Sequence, residues 1–384
     1  MVQRLSRISR ATVWLLAVSG AAALPSQMRA QDAQAPQLSQ PIPSQSEPAR
    51  DADRRIHLHV VVTDALSQPI TGLAPKDLSV FVNGHLQKID SFHEVNGATN
   101  SGVFGLLVLD LINDYSGDLS RIRSRLIAAL KPGHGPLPFP LQIVVVSEDG
   151  TDRGQLTTDR NALIADMLRL THHIRIHDCD YTPKEIPRGP GATGRSVEEH
   201  RSCVNTHLMV SLVMLKQLAE SAQKLDRPAV IIWTGPGWII PKNLKTLGIG
   251  PNGPILPLDM VVPLEKKMQE GQVTLEAISA GGFRRAHLGR EARLKGEQVS
   301  PSIGDGEAAL ELPAIAKQSG GLALEKEKSF PNALNRFLND GDRYYSLAFD
   351  SAPASAKDEY RSIEVKVGRL GATVRTLTGY YTQP

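Results

Sequence analysis

The hydrophobic positions of this 384-residue chain change their period along its length, and each change predicts a different kind of structure. Ile56–Thr63, Asp77–Val82 and Gln87–Val95 read as strands, the last two joined by a tight turn at Asn83–Gly84. From Val103 the alternation stops. Val103–Leu109 is apolar almost throughout, as in a strand buried on both faces of a parallel sheet, and it ends at Asp110. A polar turn and a helical run, Leu119–Lys131, follow. Leu141–Ser147, Val230–Trp233 and Val273–Ile278 repeat the buried-strand pattern, with short strands at Gly154–Thr157 and 322–325. Helical spacing recurs at Asp159–Leu170, from about Asn205 to Leu225, near 259–270, at Ala308–Ser319 and at 330–339. The last forty residues return to strands at Tyr344–Phe349, Tyr360–Val367 and Ala372–Tyr381. Strands alternating with helices imply right-handed crossovers in one sheet. The pattern predicts an α/β fold: a doubly wound, mostly parallel sheet beside a small β-sandwich. That sandwich is made from N- and C-terminal strands, because three strands alone are marginally stable.

Residues 1–30 have a different character. Arg4, Arg7 and Arg10 precede an apolar run, Ala11–Leu24, and then small residues, the order of a secretory signal peptide with cleavage after Ala23 or Ala30. The run is shorter than the ~20 apolar residues a bilayer span needs, so no stable membrane span is expected after cleavage. Residues 31–55, rich in Gln, Pro, Ser and Ala, read as a disordered linker. The expected organisation continues with an N-terminal β module (56–96) and an α/β domain (101–341) carrying an insertion at 171–204. C-terminal strands (342–384) are expected to pack on the module. Charge narrows the partners. The formal +3 includes four arginines in residues 1–30; without them 39 bases face 40 acids, which removes an electrostatic case for nucleic acid. A periplasmic or extracellular chain with a protein or envelope component as partner is the expectation.

Short motifs recur in a particular order. They are Val62–Thr63–Asp64 with Ile70–Thr71–Gly72–Leu73, Asp77–Leu78–Ser79–Val80–Phe81, and Leu107–Val108–Leu109–Asp110 with Asn113. Leu156–Thr157–Thr158–Asp159, Ile232–Trp233–Thr234–Gly235, Ser319–Gly320–Gly321 and Gly379–Tyr380–Tyr381 follow. In that order, over residues 56–384, they resemble the VWFA-related family described from acidobacteria. The resemblance implies a von Willebrand A-like domain, whose metal-ion-dependent adhesion site uses Asp-x-Ser-x-Ser after the first strand. A Thr before a later helix and an Asp after the fourth strand complete it, and oxygen ligands suit a hard cation. Here Asp110 matches the first position, Ile112 and Asp114 replace the serines, and Thr206 stands for the Thr. Thr234–Gly235–Pro236–Gly237 stands where Thr-Asp-Gly belongs, so the last carboxylate is missing. The implied site is degenerate and holds no cofactor, with Asp110 capping its turn and Asn113, Thr234 and Gly235 lining the crevice. The alternative is a divalent-cation-dependent adhesion domain holding Mg2+ or Ca2+ on Asp110, Asp114 and Thr206. Installing Ile112→Ser, Asp114→Ser and Gly235→Asp together is expected to build a working cation site.

Cys179 and Cys203 are the two cysteines, and in an exported chain such a pair reads as a disulfide closing the insertion. His177, Cys179, His200, Cys203 and His207, with His172 and His173 nearby, have zinc-type spacing, but zinc needs reduced thiolates. No Gly-x-Ser-x-Gly, Gly-x4-Gly-Lys-Ser/Thr or His-Glu-x2-His motif occurs. The tyrosine pairs Tyr344–Tyr345 and Tyr380–Tyr381 read as strand residues facing opposite ways. A non-enzymatic interaction module is the leading expectation; a hydrolase using the acidic crevice at Asp110 and Asp114 is a further one.

Overall fold

The computed structural model describes residues 54–97, 102–113, 119–131, 135–147, 149–174, 194–225 and 227–240. It also describes 248–250, 253–255, 257–279, 310–325 and 330–382. The signal segment and linker residues 31–53 therefore lie outside the described residues, as do Asp114, His177 and Cys179, while Arg55, expected at the linker's end, already opens a strand.

The N-terminal part contributes β1 (Arg55–Thr63), β2 (Leu78–Val82), β3 (His85–Gln87) and β4 (Ser91–Asn96). The turn between β2 and β3 is made by Asn83 and Gly84, both with positive φ, as a two-residue hairpin turn requires. The α/β body begins with β5 (Phe104–Asp110), α1 (Leu119–Leu130), β6 (Leu141–Ser147) and β7 (Gly150–Arg153). Helices α2 (Arg160–Thr171) and α3 (Gly194–Lys224) lead to β8 (Ala229–Thr234). Short strands β9 (Ile239–Ile240), β10 (Gly248–Gly250) and β11 (Gly253–Ile255) precede α4 (Pro257–Glu270) and β12 (Val273–Ser279). Then come β13 (Leu310–Glu311), α5 (Leu312–Gln318), β14 (Ala323–Glu325) and α6 (Phe330–Asp342). The chain finishes with β15 (Arg343–Asp350), β16 (Glu359–Val367), β17 (Thr373–Arg375) and β18 (Gly379–Thr382).

Among the described residues the central sheet has six strands in the order β14-β12-β8-β5-β6-β7. All neighbours are parallel except β6 and β7. All seven residues of β5 are buried, because both faces of the sheet are covered. Leu106 and Val108 enter one apolar cluster with Leu208, Leu212 and Leu215 of α3 and Leu264 of α4. Leu107 and Leu109 enter the other, with Leu126 of α1, Leu163 of α2 and Phe337 of α6. The continuous apolar run thus reflects period-two alternation with a hydrophobic destination on either side.

Eight further strands build two four-stranded antiparallel sheets, β17-β1-β15-β4 and β18-β16-β2-β3, while β10 pairs with β11 and β9 with β13. Leu58 and Val60 of β1 and Leu347 and Phe349 of β15 share one core with Val80 of β2 and Tyr380 of β18. Adjacent tyrosines separate as expected: Tyr344 joins the α/β core and Tyr345 the β core.

Five boundaries differ from the sequence reading. The helix expected at Ala308–Ser319 is α5 from Leu312, because Leu310–Glu311 is extended and pairs as β13 with β9. Gln87–Val95 is two strands in different sheets, β3 pairing with β2 and β4 with β15. Ala372–Tyr381 likewise divides, β17 pairing with β1 and β18 with β16. A run of alternating residues gives no sign that the chain crosses between layers partway along. The edge strand after β6 is Gly150–Arg153 rather than Gly154–Thr157, because the hairpin turns more tightly than its Gly signal suggested. Helix α3 begins at Gly194, so part of the expected excursion is helical.

Candidate functional site

Counting its strands in chain order, the central sheet runs sixth, fifth, fourth, first, second, third. The order reverses between β5 and β8, and open α/β sheets bind ligands at the carboxyl ends of the strands flanking such a point. Asp110 ends β5 and Thr234 ends β8.

The Asp110 carboxylate is buried and held by its neighbours. The Asn113 main-chain N–H donates to Oδ1 at 3.2 Å, and the Asn113 amide Nδ2 donates to Oδ1 at 3.0 Å and Oδ2 at 2.9 Å. The Trp233 indole Nε1 donates to Oδ2 at 2.9 Å from the neighbouring strand. The Asn113 amide also donates to Ser211 Oγ of α3 at 2.7 Å. Asp110, Asn113, Ser211 and Trp233 are all at most 2% exposed. Three elements therefore meet in a closed hydrogen-bonded node, with each donor facing an acceptor.

The surroundings favour this arrangement over a cation. Ile112 packs into the α3-side core, so its side chain cannot face the crevice. The Thr234 hydroxyl donates to the Val108 carbonyl at 2.8 Å. Gly235 has a φ of +149°, and a Cβ there would stand 3.0 Å from Asp110 Cβ, so Gly235→Asp would be strained and crowded. The triple substitution expected to rebuild a cation site would have to place its Asp side chain in that crowded position. An N–H aimed at a carboxylate oxygen occupies the lone pair a metal would take, and the indole and the main-chain amide offer no acceptor in exchange. Among the described residues, the donors around Asp110 do not form an oxygen-ligand set for Mg2+ or Ca2+. Thr206 is exposed on α3, and five residues of helix separate it from Ser211, a rotation of about 140°. Ser211 is the α3 side chain that reaches Asn113, and Asp114 lies outside the described residues.

Sequence reasoning named Asp110, Asn113, Thr234 and Gly235, which the fold does bring together, and missed Ser211 and Trp233. Trp233 sits inside an apolar run, AVIIWT, where an indole reads as packing alone. No group of three or more His, Cys, Asp or Glu suited to a metal occurs among the described residues. Cys203 Sγ lies 3.9 Å from His207 Nε2, and no free cysteine occurs among the described residues.

A second polar cluster joins the α/β body to the β layers. Arg375 of β17 pairs with Asp340 of α6, and its other amino group lies 3.6 Å from Glu276 of β12. Leu322 N donates to Glu276 Oε2 at 2.6 Å. Burial pushes the Glu276 carboxyl up to about 8, with Arg375 opposing. Burial, reinforced by Arg375, pushes His59 down to about 3, so this ring is neutral; its Nδ1 lies 3.1 Å from Thr274 Oγ1. Beside this cluster a crevice of about 520 Å3 is bordered by Lys317, Gly320, Gly321, Val365 and Thr376. The strands approach closely there: a Cβ on Gly321 would stand 2.0 Å from the Leu275 carbonyl oxygen.

The fold and site define a class: an open, mostly parallel α/β sheet with a closed polar node at its switch point, joined to two antiparallel sheets. No family model matches the chain, and no curated protein does. The expected acidobacterial VWFA-related family is thus not recovered. Among solved structures, a crystal structure of manganese-loaded TRAP protein from Plasmodium vivax aligns at 11% identity. The alignment covers 74% of this chain and 96% of that chain, with a TM-score of 0.31. So loose a superposition carries no argument about activity or ligand.

Proposed function

We propose that this chain is an exported, non-catalytic interaction module of von Willebrand A-like build, whose partner is a protein or envelope component. The observation that carries the reading is the Asp110 node. At the switch point, where this architecture places a ligand, the carboxylate is saturated by Asn113 and Trp233 and closed to water. Partner binding then falls to the surface around the crevice rather than to a cation. The charged and apolar order of residues 1–30 supports export, and no helix among the described residues is long and apolar enough to cross a membrane. We read the two antiparallel sheets as a sandwich of N- and C-terminal strands flanking an α/β domain at 101–341.

Thermal unfolding with millimolar Mg2+, Ca2+ or Mn2+, and with EDTA, tests the reading. The expected outcome is a melting temperature unmoved by any of them. A gain of several degrees with a cation, reversed by EDTA, overturns it in favour of cation-dependent adhesion.

A further inference from the structure

Gln318, the last residue of α5, does two things at once. Its side-chain Nε2 donates to Glu265 Oε2 of α4 at 2.8 Å, and its main-chain carbonyl accepts from Thr378 N, just before β18, at 2.9 Å. The remaining oxygens of both side chains, Glu265 Oε1 and Gln318 Oε1, are sealed from solvent and have no hydrogen-bond partner. Both are acceptors when the carboxyl is charged. They line a small pocket with Met268, Ile315, Leu377 and Tyr380, which brings in no cation. A neutral carboxyl removes the difficulty, because its O–H can donate to Gln318 Oε1 while Oε2 still accepts from Nε2.

We propose that Glu265 and Gln318 form a carboxyl–amide pair that latches the C-terminal strands onto α4 and α5 and that releases them when the carboxyl ionises. The groups facing Glu265 give its charge no compensation. Lys266, its neighbour on α4, is paired with Asp358. Tyr360 of β16 and Tyr381 of β18 present phenols whose ionisation is disfavoured first by burial and then by the Glu265 charge. Lys317 of α5 borders the neighbouring crevice. Burial pushes Glu265 up to about 8, with the bond from Gln318 opposing. A carboxyl whose native value lies above its ordinary 4.5 favours the docked state fully below that value. That contribution shrinks as pH rises and is lost through about 8. Val374, Arg375, Thr376 and Thr378 also wall the crevice at Lys317, so release of the latch loosens one side of it.

Hydrogen exchange of the segment 374–382 in the full chain, corrected for the intrinsic rate, reads the latch directly. Between pH 6 and 8 the corrected opening of the wild type should rise at least tenfold, since one pH unit within the window is worth up to tenfold. Glu265→Gln, which keeps both hydrogen bonds and cannot ionise, should rise far less than the wild type, its residual change coming from Glu276 beside Arg375. An equal rise in Glu265→Gln, or a flat wild type, overturns the proposal. Infrared difference spectra give a second measurement that does not depend on that variant. A protonated-carboxyl band should fade over the same range and should move in Gln318→Leu; a band unmoved by Gln318→Leu also overturns it.

Discussion

The Asp110 carboxylate is buried, and the donors of Asn113 and Trp233 help make that burial tolerable. A hydrogen bond to a buried charge is worth about 1.5–3 kcal/mol. Trp233→Phe keeps the aromatic bulk and removes the donor, so it should cost about 2 kcal/mol. Asp110→Ala should cost more, about 3 kcal/mol, because it strands the indole N–H in the core. Urea unfolding of both variants checks this, and a Trp233→Phe midpoint indistinguishable from wild type would remove the node from the account. The capping role expected of Asp110 is seen in the 3.2 Å bond from Asn113 N, and Trp233 adds a bond from the neighbouring strand. Asp, Asn, Thr and Gly after a buried strand announced a polar turn. Nothing local announced that Trp233 and Ser211 complete it, because their partners are 123 and 98 residues away along the chain.

At the scale of elements, both antiparallel sheets depend on pairs distant in sequence. β1 lies between β15 and β17, and β2 pairs with β16. If residues 343–382 are absent, the inward side chains of β1 and β2 lose most of their shared core. A chain ending at residue 341 should therefore become sensitive to protease throughout 56–96, while β5 and β6 stay protected. Full protection of 56–96 in that truncated chain would mean that the N-terminal strands find their burial elsewhere. Helix ends were legible where chemistry marks them. Asp159 accepts from Asn161 N at 2.8 Å and opens α2, one of the two capping positions, Thr158 or Asp159, that the sequence offered. The start of α3 was not legible, because the Gly- and Pro-bearing stretch before it carries turn signals up to the helix.

For the whole molecule, export and the insertion meet in one measurement. Protein recovered from an oxidising compartment should have lost its first 23 or 30 residues, and Cys179 and Cys203 should be bridged. Intact mass after alkylation without reduction reads both; two alkylated thiols, or an unprocessed N-terminus, would refute the corresponding half. What the amino-acid sequence determined by itself is whatever rests on local period and composition: the buried strands around Asp110, the alternating strands at both ends, and the acid at the mouth of the sheet. Tertiary structure alone decided the rest. That the Trp233 indole donates to Asp110 depends on β8 lying beside β5. Likewise Glu265, Glu276 and Asp340 look like ordinary helix and strand acids in the sequence, and burial against distant segments is what raises their proton affinity. Periodicity records which face of an element is buried. It does not record what is buried against it, because that contact is made by residues far away along the chain.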